Sequence, residues 1–375
     1  MPTPLARKIK DLIVTDGPIS VADFFSICLA DPQYGYYQVR EPFGRSGDFV
    51  TAPEISQLFG EIIGVFLVHA WQGHGAPDSV RLVEIGPGRG TLMADALRTI
   101  ERLSPDFYAS IGISLVETSE RLRQTQRQTL MRHKQRIDWH DDFASVPSGF
   151  TLLIANEFFD AIPIRQFVKC DGHFHERVVA LNDAGELIFG LGPLRLEASL
   201  LPSDAERAPP GAVAEVSPPR TAIMLSIAER LRQQGGSALI IDYGHTSSNF
   251  GDTLQAVRNH AFDPPLAHPG EADLTSHVDF EALAMAALAA GAHVHRPLAQ
   301  GDFLLGLGLL ERAGALGANK DSLTRATITE AVNRLAGEGP GSMGELFKVL
   351  CISGQPLALL PFDPQVAPPP PPPAN

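Results

Sequence analysis

Cysteine is scarce in this chain: Cys28, Cys170 and Cys351 are the only three in 375 residues, and none sits in a CxxC pair. That excludes a disulfide framework, and His173 and His175 after Cys170 lack the second ligand pair that a zinc site needs. The three are read as reduced core thiols, and no metal is expected. Long apolar runs are also missing. The longest, Ile62 to Trp71, is broken by Gly64 and His69 and is about half the length of a membrane span. The first fifteen residues mix Arg7, Lys8 and Lys10 with Asp11 and show neither a secretory nor a transit pattern. A soluble, cytoplasmic protein without membrane insertion is therefore expected. Positive charge is in deficit, with 30 Lys and Arg against 43 Asp and Glu and a formal net charge of −13. A general nucleic-acid binder needs the opposite balance, so no nucleic-acid partner is expected and a cationic or neutral substrate fits better. No internal repeat is present.

What is present is ample core material, 44% hydrophobic residues, enough for one large α/β domain with insertions or for two ordinary domains. Helical spacing over Pro4–Val14, Ala22–Leu29 and Ser56–Trp71 predicts an N-terminal helical cap over residues 1–75. From Val80 strands and helices alternate: Val80–Ile85, helix Leu92–Leu103, Ile113–Val116, helix Glu120–Arg132, Arg136–Trp139 and Leu152–Ala155. That order implies parallel βαβ units, so the fold class is α/β, a doubly wound Rossmann-like sheet whose first part spans 76–163. An inserted β-rich meander is expected over 164–216. The core resumes over 217–300, with a Pro- and Gly-punctuated flap at 251–279. A helical insertion at 301–340, a last strand at 341–355 in an antiparallel edge, and a disordered Pro-rich tail at 356–375 complete the organisation.

The most informative segment is Leu82-Val83-Glu84-Ile85-Gly86-Pro87-Gly88-Arg89-Gly90-Thr91-Leu92, a strand that ends in a glycine turn and opens a helix. Gly86, Gly88 and Gly90 bring backbone close to a ligand, but in a G-x-G-x-G spacing one residue tighter than the dinucleotide fingerprint. Glu84, two residues before the turn, would repel a pyrophosphate and hold a cation such as an α-amino group; the plain alternative is a solvated strand-end charge. Glu117, at the tip of the next strand, is placed for two ribose hydroxyls. Asp142 and Phe143, after the third strand, offer a carboxylate for an adenine amino group and a ring for its face, or an ordinary acidic loop. The ribose acid suits either cofactor, but Glu84 and the tighter glycine spacing favour S-adenosylmethionine over a dinucleotide.

The fourth strand ends in Asn156-Glu157-Phe158-Phe159-Asp160, over the crevice where ligands bind in this architecture. Asn156, Glu157 and Asp160 are the candidate catalytic residues; otherwise Asn156 caps a turn and Glu157 is solvated. Methyl transfer needs no covalent nucleophile and no metal, only alignment and charge management. A guanidinium acceptor stays protonated and must approach a second cation, so carboxylates such as Glu157, Asp160 and Glu54 suit it.

These residues together resemble the MidA-like methyltransferases, the family that includes the mitochondrial complex I assembly protein described as a protein arginine methyltransferase. The resemblance runs from Pro4 to about Gly354. It is carried by Gly47 to Ser56, Val83 to Leu92, Leu115-Val116-Glu117, Asn156 to Pro163, Ile241-Asp242-Tyr243-Gly244-His245, Ala272 to Thr275, His277 to Phe280 and Met343 to Phe347. It implies S-adenosyl-L-methionine as cofactor and, in eukaryotic members, a mitochondrial location and symmetric dimethylation of an arginine. The protein partner implied is a core subunit of NADH:ubiquinone oxidoreductase. It further implies that Gly47 to Ser56 covers the cofactor, giving Asp48 and Thr51 cofactor contacts and Glu54 an acceptor contact, unless Glu54 simply opens a helix. Tyr36, Tyr243 and His245 are expected at the substrate rim. The alternatives are a small-molecule N- or O-methyltransferase, a non-catalytic assembly chaperone and, on local motif grounds, a dinucleotide oxidoreductase. The sequence leaves the oligomeric state open, and a homodimer is compatible with it.

Overall fold

The computed structural model describes residues 2–39, 51–133, 137–202 and 204–363. Its chain forms two compact units, one from residues 1–50, 160–222 and 247–279 and one from 51–159, 223–246 and 280–375.

The first unit opens with helix Pro4–Asp16, whose start is set by Pro4 and by the Thr3 hydroxyl accepting from Ala6 N at 3.0 Å. Helix Val21–Ala30 follows, capped by Ser20. The expected meander is a five-stranded sheet built from Ile19–Ser20, Arg165–Cys170, His173–Leu181, Leu187–Arg195 and Val213–Val216. Asp171 and Gly172, both with positive φ (50° and 78°), make the two-residue turn that pairs Cys170 with His173. Residues 251–279, expected as a flap, contain instead a small antiparallel sheet, Gln255–Arg258, Ala261–Asp263 and Asp273–Thr275. Strands this short fall below the length at which alternation is readable. The core of this unit gathers Leu5, Ile9, Phe24, Phe25, Cys28 and Leu274.

The second unit carries the parallel sheet. The main path of this nine-stranded sheet runs through β1 (Val80–Ile85), β2 (Ile111–Val116), β3 (Ile137–His140), β4 (Thr151–Asn156), β5 (Gly236–His245), β6 (His293–Val294) and β7 (Phe347–Ser353). They lie in the order β6-β7-β5-β4-β1-β2-β3. β1 to β5 are parallel and β7 is antiparallel to both neighbours, the mixed edge expected. All six residues of β4 are buried, which is why it reads as a continuous apolar run rather than an alternating one. Chain order reverses between β1 and β4, so a crevice opens at their carboxyl ends.

Helix Gln57–Gly73 belongs to this unit and not to an N-terminal cap. It packs on helix Thr91–Leu103 through Gly60 and Gly64. A Cβ at Gly64 would lie 2.9 Å from the Ala96 carbonyl oxygen and 2.9 Å from Thr99 Cβ. Gly64→Val is therefore expected to lower stability by about 1–3 kcal/mol through overpacking, read as a lower denaturant midpoint. The helical insertion is three helices, Gln300–Gly306, Leu309–Gly317 and Ser322–Ala336, the first two separated by Gly308 at φ 89°. Arg312 from the second binds the buried Glu61 through two hydrogen bonds of 2.6 and 3.0 Å.

The expected tail begins too early. Leu359 and Leu360 are buried, Leu360 N donates to His69 Nε2 at 3.0 Å, and Phe362 packs against Phe66 and Phe303. The apolar Leu357 to Phe362 stretch is thus part of the core, and the proline run itself lies outside the described residues. Cys28 and Cys351 are buried as expected, whereas Cys170 is only half-buried. Among the described residues no helix is long and apolar enough to cross a membrane, and no group of three His, Cys, Asp or Glu is arranged to hold a metal.

Candidate active site

The turn after β1 is left-handed at three places, with φ 67° at Gly86, 53° at Gly88 and 80° at Gly90. Side chains with a Cβ rarely adopt this geometry, and at Gly86 an added Cβ would also meet the Phe158 ring at 3.1 Å. Gly90 stands at the N-terminus of helix Thr91–Leu103. The sequence therefore places a bare backbone surface at the carboxyl end of β1.

Glu84 lies just beneath that surface. It is 2% exposed, its Oε2 has no hydrogen-bond partner, and burial pushes its carboxyl up to about 8. A buried carboxyl without a donor is costly by itself. An α-ammonium group fits that vacancy in the bonding, because it supplies both the donor and the charge. The expectation of a solvated strand-end charge is thereby excluded.

At the end of β2, Glu117 is half-buried. Its Oε1 accepts from Ser119 N at 2.8 Å and its Oε2 from Gln126 Nε2 at 3.3 Å. Desolvation raises its pKa against these bonds. After β3, Asp142 is exposed and caps the turn Phe143–Ser145 through Oδ1 and Ser145 N, 2.7 Å apart. Phe143, partly exposed, carries the Arg230 guanidinium 5.3 Å from its ring centroid.

At the end of β4, Asn156 is buried, and its Nδ2 donates to Glu157 Oε1 at 3.1 Å while its Oδ1 has no partner. Glu157 has φ 48°, an unusual conformation for a glutamate. Its N–H donates to Ile241 O at 2.9 Å, and its Oε1 also accepts from Ala52 N at 3.1 Å. The carboxylate thus anchors the start of the Thr51–Ile55 segment. Thr51 caps the short helix Ala52–Ile55 without a side-chain bond. Glu54, expected as an acceptor contact, turns inward: its Oε1 accepts from Thr91 Oγ1 at 2.6 Å, and Arg89 lies 3.9 Å from its Oε2. Asp242, fully buried, holds the loop after β4 by accepting from Phe159 N at 3.0 Å.

Two expected rim residues are not at a rim. Tyr36 is fully buried in the core of the first unit, and Tyr243 is 7% exposed against Phe347. A tyrosine flanked by apolar neighbours serves packing first. His245 is partly exposed at the end of β5. Asp160 belongs to the first unit, where it is buried and its carbonyl accepts from Ser276 N at 3.1 Å and Arg220 Nη2 at 3.2 Å. Asp48 lies outside the described residues. Gln126 was not among the candidates. It falls four residues from both Leu122 and Leu130 on the apolar side of its helix, and a polar residue in that seam is the signal that points to it.

A parallel sheet with an acid under a left-handed glycine turn and a second acid at the neighbouring strand end suits a nucleoside sulfonium, the cofactor of S-adenosylmethionine-dependent methyltransferases. The chain belongs to the MidA-like family of S-adenosyl-L-methionine-dependent methyltransferases, whose family model matches residues 62–298. It is 35% identical to the mitochondrial protein arginine methyltransferase NDUFAF7 homolog of Drosophila melanogaster, over 93% of this chain and 84% of that one. It is 32% identical to protein arginine methyltransferase NDUFAF7, mitochondrial, of Homo sapiens, over 93% and 83%. A Burkholderia thailandensis protein solved with bound S-adenosyl-homocysteine superposes with a TM-score of 0.82 at 29% identity, covering 96% of each chain. The chain is thus an enzyme that uses S-adenosylmethionine, as expected, and its relatives come from a bacterium and from animals, where they are named mitochondrial.

Proposed function

We propose that this enzyme methylates an arginine side chain of a protein, by symmetric dimethylation, on a core subunit of respiratory NADH:ubiquinone oxidoreductase, and so assists assembly of that complex. The animal relatives, which are named protein arginine methyltransferases, support the arginine acceptor, and the family resemblance supports the complex and the symmetric product. The observation that carries the reading is Glu157, held at φ 48° over the crevice with Asn156 beside it. Strain of that kind persists where surrounding bonds over-determine it, and it gathers at reacting centres.

When bound, S-adenosylmethionine supplies a methyl carbon activated by positive sulfur. The chain's own groups do the rest. Glu84 takes the α-ammonium, the glycine turn admits the ligand to backbone, Glu117 takes the ribose hydroxyls, and Asp142 with Phe143 takes the adenine. Thr51 and the loop anchored on Glu157 close over the cofactor, with Glu54 fixing that loop to the glycine turn. Glu157 and Asn156 orient the guanidinium and offset its charge as it meets the sulfonium, so that one nitrogen points in line at the methyl group. His245 stands by the acceptor.

The test is transfer of labelled methyl from S-adenosylmethionine to complex I purified from cells that lack this enzyme, followed by mass spectrometry of the subunits. Label in one core subunit as symmetric dimethylarginine is expected. Label found only in small molecules, or on another side chain, would overturn the arginine assignment while leaving the methyltransferase class intact.

A further inference from the structure

Helix Glu120–Thr129 is polar and rich in arginine, yet Leu122, Gln126 and Leu130 line its inner side at four-residue spacing, and Gln126 is fully buried. Leucine or methionine would fill such a position with no polar group to satisfy, whereas a buried amide is tolerated only when bonded. The Gln126 amide is bonded at both ends. Its Nε2 donates to Gly88 O at 2.8 Å and to Glu117 Oε2 at 3.3 Å, and its Oε1 accepts from Trp139 Nε1 at 2.8 Å. One side chain therefore joins the glycine turn after β1, the acid at the tip of β2 and the body of β3.

Each bond fixes something the ligand must meet. The donor on Gly88 O sets the orientation of a peptide in the middle of a left-handed turn. On Glu117, Ser119 N holds one carboxylate oxygen and Gln126 the other, so both are fixed by the same helix, one from its N-cap and one from its inner side. A carboxylate held at both oxygens presents its remaining lone pairs in one plane, the arrangement that two vicinal hydroxyls require. The Trp139 bond holds the amide itself, leaving both N–H groups for Gly88 and Glu117.

We infer that Gln126 is a positioning residue for S-adenosylmethionine, locking the glycine turn and the Glu117 carboxylate into the geometry that receives the ribose. The inference rests on the reading that Glu117 binds the ribose hydroxyls, and the experiment separates the two. Binding of S-adenosylhomocysteine is measured by calorimetry at pH 6 and pH 8 for the wild type and for Gln126→Leu, Gln126→Glu and Glu117→Ala. Gln126→Leu is expected to weaken binding about tenfold or more, the size of a lost bond to a charged group plus a loosened turn.

Gln126→Glu keeps the shape of the side chain and so guards against loss of packing. A protonated acid there still donates one bond, whereas a carboxylate faces Glu117 and donates none. Relative to the wild type at the same pH, its deficit should be several-fold larger at pH 8 than at pH 6. Arg123 and Arg127, on the same helix and bonded to Glu117 O and Glu120 respectively, are the cations that temper this repulsion. A residue that only fills space would not produce that pH dependence. Gln126 variants within twofold of the wild type at both pH values would overturn the assignment. An unchanged constant for Glu117→Ala would overturn the ribose reading instead.

Discussion

Glu84→Gln is expected to weaken S-adenosylhomocysteine binding roughly a hundredfold at pH 8, the value of a buried charge-assisted bond at the strong end of its range. The variant should also be more stable than the wild type when no ligand is bound. Both results come from one fact, a fully buried carboxyl pushed up to about 8 by desolvation. In the unfolded chain this group ionises in the ordinary glutamate range, so the folded state holds its proton more tightly. Its contribution to stability is therefore fully present below the unfolded value and is lost as pH rises through about 8. Glutamine has no proton to lose. The ligand-free variant should match the wild type near pH 4 and exceed it at pH 8.5 by an amount on the order of a few kcal/mol, read by chemical denaturation. A variant no more stable than the wild type at pH 8.5 would mean that Glu84 has a partner in solution and is not poised for a cation.

Glu157→Gln has the largest effect expected on turnover, a fall of about 10²–10³ with cofactor affinity nearly unchanged. The separation follows from what each part of the side chain does. Gln retains a side-chain oxygen to accept from Ala52 N, so the bond that holds the Thr51–Ile55 segment survives. The backbone bond to Ile241 O, which maintains the left-handed residue, is untouched. What is lost is the negative charge that, under the proposed function, would bind a guanidinium and offset its approach to the sulfonium. Single-turnover kinetics with saturating cofactor would isolate this step. Unimpaired turnover would remove Glu157 from the catalytic account and leave it as an anchor for the loop.

The parts of this site that were legible in the sequence are those with a local signature. Strand and helix periodicity gave the βα order from Val80 to Asn156, and the G-x-G-x-G turn announced backbone exposure next to Glu84. Strand-end acids could be assigned to the carboxyl edge because a parallel sheet leaves no other place for them. What was hidden depends on distant partners. Helix Gln57–Gly73 looks like a continuation of the N-terminal cap until Gly60 and Gly64 are seen against helix Thr91–Leu103. Tyr36 and Tyr243 read as polar rim residues because burial is decided by elements far along the chain, and Glu54 reads as an acceptor contact until Thr91 is brought to it. Leu357 to Phe362 looks like the head of a proline tail, and only the fold brings His69, Phe66 and Phe303 against it. Gln126 carried a cue, one amide in an apolar seam, but its three bonds reach β1, β2 and β3 at once.

The most direct test of the account is the number of protons released when S-adenosylhomocysteine binds, obtained by calorimetry at pH 7 in two buffers of different ionisation enthalpy. An acid with a pKa of about 8 is mostly protonated at that pH and must ionise to receive the ammonium group, so release of about one proton is predicted for the wild type and almost none for Glu84→Gln. Binding without proton release by the wild type would contradict the placement of the cofactor's amino group at Glu84.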